Sequence, residues 1–287
     1  MKKFLLLSIL VLLPDGRPPA SPAARRQTEK HPARSYLGFD RNEYPGDAAL
    51  PELRKTFWFS GFWLNAPPGM ATNTWSGKRP ILERHGFGFL VLFNGRGYAE
   101  VRAGDAGALG ATDGAAAARS AQQEGFPKGT VIFLDQEEGG RLLAEQRAYL
   151  HAWVDAVDRA GYRAGVYCSG VPAREKNGTA VVTAVDIQQN AGGRDITYWV
   201  SNDACAPSPG CVFPRNPPPP GGSGVAFASV WQFAQSPRRK PLTASCAQTY
   251  REDGNCYAPG FGPKQGLHVD LDTATARDPS HGRTNAD

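Results

Sequence analysis

Three runs of consecutive apolar residues constrain this chain most: FLVLF at 89–93, VIFL at 131–134 and the GVYC end of YRAGVYC at 162–168. Runs this short and this continuous read as strands buried on both faces, which is the signature of a parallel sheet covered by helices. Helix-like stretches separate them. The clearest covers 141–160, where Leu142, Leu143, Tyr149, Leu150, Trp153, Val154 and Val157 form an apolar stripe that Gly161 ends. An Ala-rich stretch at 111–124 reads as a second helix, stopped by Gly125 and Pro127. Shorter helices are expected at 48–56 and 179–189.

Further strand-like segments lie at 36–40, 57–64, 196–201, 229–233 and 267–271, so the expected strands are eight: 36–40, 57–64, 87–94, 130–137, 162–168, 196–201, 229–233 and 267–271. Eight strands alternating with helices or long loops predict an α/β fold, a single (β/α)8 barrel of the TIM type, irregular in places. An open, doubly wound sheet is the alternative. A chain of 287 residues suits one such domain.

The ends of the chain read differently. Lys2 and Lys3 precede an apolar run from Phe4 to Leu13, and Ser21-Pro22-Ala23 supplies small residues. Residues 1–23 are therefore expected to be a secretory signal peptide, with no stable membrane insertion after its cleavage, and the protein to be secreted or held in the periplasm or cell envelope. Residues 24–34 read as a flexible lead-in, 35–276 as the barrel, and 277–287 as a disordered tail. Within the barrel, 203–224 is a Pro/Gly-rich surface excursion with four consecutive prolines. Lys2, Lys3 and Arg17 against Asp15 account for +2 of the formal charge of +5, which leaves a mildly basic +3. That favours an anionic surface and shows no basic stripe for nucleic acid.

Of the five cysteines, Cys205 and Cys211 share one loop, and Cys246 and Cys256 another. Export predicts two short-loop disulfides from these four, while Cys168, inside a strand, is expected to be a buried free thiol. No CxxC or clustered His supports a metal, and no motif implies a cofactor: G-x-S-x-G, the P-loop and H-E-x-x-H are all missing.

Function is carried by where the acids fall. Asp40 closes the first strand, Asp135 and Glu137 the fourth, Asp203 follows the sixth, and Asp270 and Asp272 are placed at the end of the eighth. In a barrel the C-terminal strand ends share one rim, where active sites are built. Asp135 and Glu137 are two apart and so share a strand face. Glycosidic cleavage needs a carboxylic acid to protonate the leaving oxygen and a carboxylate to stabilise or activate, and crowding splits the pKa values of neighbouring acids. Glu137 is the expected general acid, shielded and raised in pKa, with Asp135 its partner and Asp40 the third catalytic candidate. Asp270, Asp272, Asp203, Tyr198, Trp199 and Trp231 are candidate substrate contacts. The plainer reading is that these acids cap helices.

The segments YLGFD, FLDQEEG, YRAGVYCSG, YWVSND, WQF and HVDLDTA, in this order across about residues 36–273, resemble the strand signatures of a bacterial glycoside-hydrolase-like domain of unknown function, and more distantly the family 25 lysozymes, which are muramidases. The resemblance implies a (β/α) barrel, export to the cell envelope and a peptidoglycan or other polysaccharide partner. It places the acid pair on Asp135 and Glu137, the first-strand acid on Asp40, the last-strand acid on Asp270 and an aromatic pair on Tyr198 and Trp199. Hydrolysis of an amino-sugar polymer by a monomer is the leading expectation; a non-catalytic, carbohydrate-binding barrel is the alternative.

Overall fold

The computed structural model describes residues 34–202, 216–234, 256–258, 260–261 and 267–284. Its strands are β1 (Tyr36–Asp40), β2 (Phe59–Trp63), β3 (Gly88–Asn94), β4 (Val131–Gln136), β5 (Arg163–Ser169), β6 (Ala173–Arg174), β7 (Ala180–Val181), β8 (Thr197–Ser201), β9 (Val230–Ala234), β10 (Cys256–Tyr257) and β11 (His268–Ala274). The helices are α1 (Leu50–Arg54), α2 (Arg79–Arg84), α3 (Tyr98–Ala103), α4 (Ala106–Gln123), α5 (Ala144–Arg159) and α6 (Thr183–Gln189). Strands β1, β2, β3, β4, β5, β8, β9 and β11 pair in that order, and β11 returns to β1, so eight strands close into a barrel. The expected α/β barrel is therefore the observed fold. The β6–β7 hairpin stands apart from it.

Glycine lets the barrel interior fill. A Cβ on Gly38 would lie 2.0 Å from the Phe59 ring, and one on Gly165 would lie 2.5 Å from the Phe133 ring. Each ring thus occupies the space a neighbouring side chain would need, and both are fully buried. Outside the sheet, α4 and α5 approach closely through the same device. A Cβ on Gly110 would sit 2.1 Å from the Tyr149 carbonyl oxygen, and one on Gly114 would sit 2.6 Å from that of Trp153. Helix α4 begins five residues before its expected start, because the Asp105 carboxylate caps it by accepting from the Ala108 N–H at 2.9 Å.

One strand corrects the expected topology. The first seven barrel strands run parallel, but β11 is antiparallel to both β9 and β1. A reversed strand begins at the end of the sheet where its neighbour finishes, so β11 starts at the mouth. Its C-terminal end is consequently at the floor. Asp270 still reaches the mouth rim, opposite Asp40, because it sits in the first half of a strand that extends to Ala274 and not to Leu271.

The reversal also corrects the tail. Residues 277–284 do not hang free but cross the floor. The Asp278 carboxylate accepts from the Phe89 N–H at 2.9 Å, the Ser280 hydroxyl oxygen accepts from the Val91 N–H at 2.9 Å, and the Ser280 carbonyl accepts from the Val131 N–H at 2.8 Å. The Arg79 guanidinium donates to the Gly282 carbonyl at 2.7 Å. These contacts satisfy backbone donors at the starts of β3 and β4 that would otherwise be buried without acceptors. Ser280→Ala is expected to cost about 1–3 kcal/mol by stranding the Val91 N–H, read as a lower urea midpoint with an unchanged slope.

Among the described residues, no helix is long and apolar enough to cross a membrane. Cys168 is free and fully buried, as expected. The signal-like segment, Asp203, Cys205, Cys211 and Cys246 lie outside the described residues, as does the side chain of Cys256.

Candidate active site at the barrel mouth

Strand register builds the site. Asp135 on β4 is level with Tyr167 on β5, which is level with Trp199 on β8. Gln232 on β9 is level with Asp272 on β11, and Asp270 with Asp40 on β1. Level residues on adjacent strands point to the same side, so all seven face the barrel interior at its upper end. Gly61 on β2 leaves room beside them: a Cβ there would lie 2.8 Å from that of Asp40.

A chain of hydrogen bonds ties the set together. The Tyr167 hydroxyl donates to Gln232 Oε1 at 2.6 Å, and Gln232 Nε2 donates to Asp40 Oδ2 at 2.7 Å. The Asp40 carboxyl hydrogen-bonds the Asp272 carboxyl. Trp199 Nε1 donates to Asp272 Oδ1 at 3.0 Å. Two carboxyls can bond only if a proton lies between them. Asp272 is fully buried and its Oδ2 has no ordinary donor in reach, so the proton belongs with it.

The electrostatics follow from burial. Asp40 is 7% exposed, and desolvation pushes its pKa from 3.8 up to about 6, with the Glu137 charge adding to the rise while Gln232 and Asp272 oppose it. Burial raises Asp272 well above the usual carboxylate range, helped by the charges of Asp40 and Asp270. Burial also raises Asp135 strongly, reinforced by Glu137 and then Asp40. Asp135 is partly open to the mouth, yet its Oδ1 is sealed and has no hydrogen-bond partner. Burial keeps the Tyr167 phenol protonated, aided by the charges of Asp40, Asp135 and Asp270, which places that ring among three of the acids.

Glu137 differs from its expected setting. It lies one residue beyond β4 and is exposed, not shielded; the buried carboxyl of the pair is Asp135. Its backbone is nevertheless held, because the following loop is anchored. The Glu138 carboxylate accepts from the Tyr98 N–H at 2.9 Å and from Gln146 Nε2. The Gly140 N–H donates to Thr183 Oγ1 at 2.7 Å, and the Leu142 N–H donates to Asp186 Oδ2 at 3.0 Å.

Helix capping does not explain these acids: α5 starts after Leu143 and α1 after Ala49, so neither Asp135 nor Asp40 is a cap. Asp40, Asp135 and Asp272 form no ion pair among the described residues. No group of three or more His, Cys, Asp or Glu side chains among the described residues is arranged to hold a metal ion.

Two expected substrate contacts face elsewhere. Tyr198 alternates with the inward Trp199 and packs outside the sheet against Phe227, with ring centroids 4.8 Å apart. Trp231 alternates with the inward Gln232; its indole N–H donates to the Asn202 carbonyl at 2.8 Å and its ring fills the space above Gly222. Gln232 is the site residue the sequence reading missed. Its signal was a lone amide between two aromatics in a buried strand, where an unpaired polar group is costly.

Residues 76–208 match the model of the Rv2525c-like, glycoside hydrolase-like domain, a span that contains β3, β4, β5 and β8. The matched segment holds Asp135, Glu137, Tyr167 and Trp199. No curated protein matches the chain. Among solved structures, the chain is similar to an uncharacterized protein of B. stearothermophilus, with 20% identity, a TM-score of 0.47, and 83% of this chain and 95% of that one covered. It is similar to the Tat-secreted protein Rv2525c of Mycobacterium tuberculosis, with 13% identity, a TM-score of 0.49 and coverage of 88% and 98%. It is also similar to the modular autolysin LytC of Streptococcus pneumoniae, solved with a synthetic peptidoglycan ligand, with 14% identity, a TM-score of 0.45 and coverage of 83% of this chain but 46% of the autolysin.

The buried acids imply a pH signature. A carboxyl whose pKa is raised in the fold favours the folded state when protonated, so its contribution is fully present below about 4 and is lost as pH rises through about 6. Asp40→Asn is expected to flatten the stability profile between these values and to raise stability at neutral pH by on the order of 1–3 kcal/mol. Chemical denaturation across that pH range checks this.

Proposed function

We propose that the barrel mouth hydrolyses glycosidic bonds in peptidoglycan or a related amino-sugar polymer. The observation that carries this reading is a solvent-exposed Glu137 whose charge acts on Asp135 and Asp40, two carboxyls whose pKa burial raises. Glycosidic cleavage requires a proton for the leaving oxygen and negative charge near the developing oxocarbenium ion. Asp135, whose pKa burial raises, holds the proton, and Glu137 is the exposed carboxyl a glycosidic oxygen meets. Asp40 and Asp272 share a second proton, so the pair presents a single negative charge beneath the sugar ring, oriented by Gln232 and Trp199. Asp270 at the rim accepts sugar hydroxyls. The family match to a glycoside-hydrolase-like domain supports the same chemistry.

An amino-sugar polymer of the cell wall lies outside the membrane, and the basic, apolar N-terminus fits export to it. The test is to incubate the full chain with purified peptidoglycan and with chitin oligosaccharides and to assay new reducing ends. Release of reducing ends that depends on Glu137 supports hydrolysis. Saturable binding without release, unchanged by Glu137→Gln, would make the barrel a carbohydrate-binding module.

A further inference from the structure

The opposite face of the barrel holds a cavity of about 140 Å³ that the mouth chemistry does not use, lined by Val131, Arg163, Thr197, Ser229, Thr275, Ala276, Pro279 and His281. It lies where β4, β5, β8 and β9 begin and where the chain leaves β11 to cross the floor. Its polar lining consists of one guanidinium, one imidazole and three hydroxyls, with no carboxylate. We propose that this floor cavity is a binding site for a phosphate-sized oxyanion.

Three observations converge on this. Every polar side chain in the lining can donate a hydrogen bond, and the only formal charge there is positive, which suits an anion. None of these five side chains spends its donors on another described residue: Arg163, Thr275 and His281, which are exposed at the open edge of the pocket, and Thr197 and Ser229, which are half-buried, make no side-chain hydrogen bond or ion pair within the described chain. Asp158, the nearby carboxylate that senses the Arg163 charge, does not line the cavity, and neither does its neighbour Asp195. Finally, His281 is the one non-glycine residue with positive φ, at 53°, among the described residues. A left-handed backbone at a residue with a side chain carries strain that needs a compensating constraint. Here the constraint is the floor crossing, where the His281 carbonyl accepts from Thr130 Oγ1 and its N–H donates to the Asp278 carbonyl, and the result is an imidazole set in the cavity wall.

The size limits the ligand. About 140 Å³ is well below the roughly 300–1,000 Å³ of sites for drug-sized molecules. A tetrahedral oxyanion fits this description; a sugar chain does not.

The experiment is titration of the full chain with inorganic phosphate at constant ionic strength, chloride replacing phosphate in the control, followed by backbone amide NMR. Saturable shifts at Thr197, Ser229 and His281 with a Kd on the order of 1–10 mM are expected. Arg163→Ala combined with His281→Gly should weaken binding at least tenfold, the glycine relieving strain so that folding is preserved. Thr197→Val alone should weaken it less. Glycerol phosphate distinguishes free phosphate from a phosphate carried on a larger molecule: binding of both means the cavity admits an esterified end. Shifts confined to the mouth, equal binding by the double variant, or no saturation would overturn the proposal. None of these outcomes depends on whether the mouth is an active site.

Discussion

Asp135→Asn and Glu137→Gln are each expected to lower turnover of peptidoglycan by about 10²–10⁴-fold, the usual contribution of a positioned general acid or base. Both changes are nearly isosteric, so the fold should survive, and their effects on stability should differ. Asp135 is sealed at Oδ1 and carries a strongly raised pKa, so the neutral amide relieves a cost of burial and should leave the protein as stable or more stable. Glu137 is exposed, and its amide should change stability little. Binding of uncleaved substrate should persist in both, so that kcat falls while the dissociation constant stays near its original value. Because the two carboxyls serve the same proton-transfer step, the double variant should be little worse than either single one. A loss of activity accompanied by a lower melting temperature, or full additivity, would assign these residues to structure instead.

Trp199→Ala should produce the largest loss of stability. The indole is fully buried and touches two other core rings, Tyr167 at 4.7 Å and Phe133 at 5.8 Å between centroids. Removing it opens a cavity in the barrel axis, at about 3–5 kcal/mol. It also takes away the N–H that Asp272 accepts at 3.0 Å, leaving a buried carboxyl short of a donor for about 1–3 kcal/mol more. Differential scanning calorimetry should show a fall of roughly 8–32 °C, at about 2–4 °C per kcal/mol for a domain of this size. Trp199→Phe keeps most of the volume but not the donor, so it should lose only the smaller share. If Phe and Ala cost the same, the hydrogen bond and not the packing holds this layer together.

Which parts of this were legible in the sequence follows from what sequence patterns encode. The strands at 89–93 and 131–134 were plain because a strand buried on both faces must be apolar throughout. The Asp135–Glu137 spacing was equally plain, since a period of two fixes a shared face. That same rule separates Tyr198 from Trp199 and Trp231 from Gln232, and its consequence for those pairs had to be seen in register: each pair has one member inside the barrel and one under the outer layer.

Direction was not legible. HVDLDTA alternates identically whichever way it runs, so nothing in it announces that β11 is reversed or that Asp270 reaches the mouth from the start of its strand. The floor crossing was hidden for a related reason. Residues 277–284 are polar and short on apolar anchors, and they are ordered by backbone donors of β3 and β4, groups that carry no sequence signature. The exposure of Glu137 and the burial of Asp135 depend on where the strand ends, by a single residue, which is below the resolution of any periodicity.

Catalysis of this kind requires the mouth to store protons in buried carboxyls near neutral pH. Carbon-13 NMR titration of the side-chain carboxyls, assigned through Asp40→Asn, Asp135→Asn and Asp272→Asn, measures it directly. A midpoint for Asp40 of about 6 is expected, with Asp135 and Asp272 still protonated where ordinary aspartates have already ionised at about 4. All three titrating together near 3.8 would mean that water reaches the cluster freely, and the mouth would then be a hydrated acidic rim with no stored proton to give.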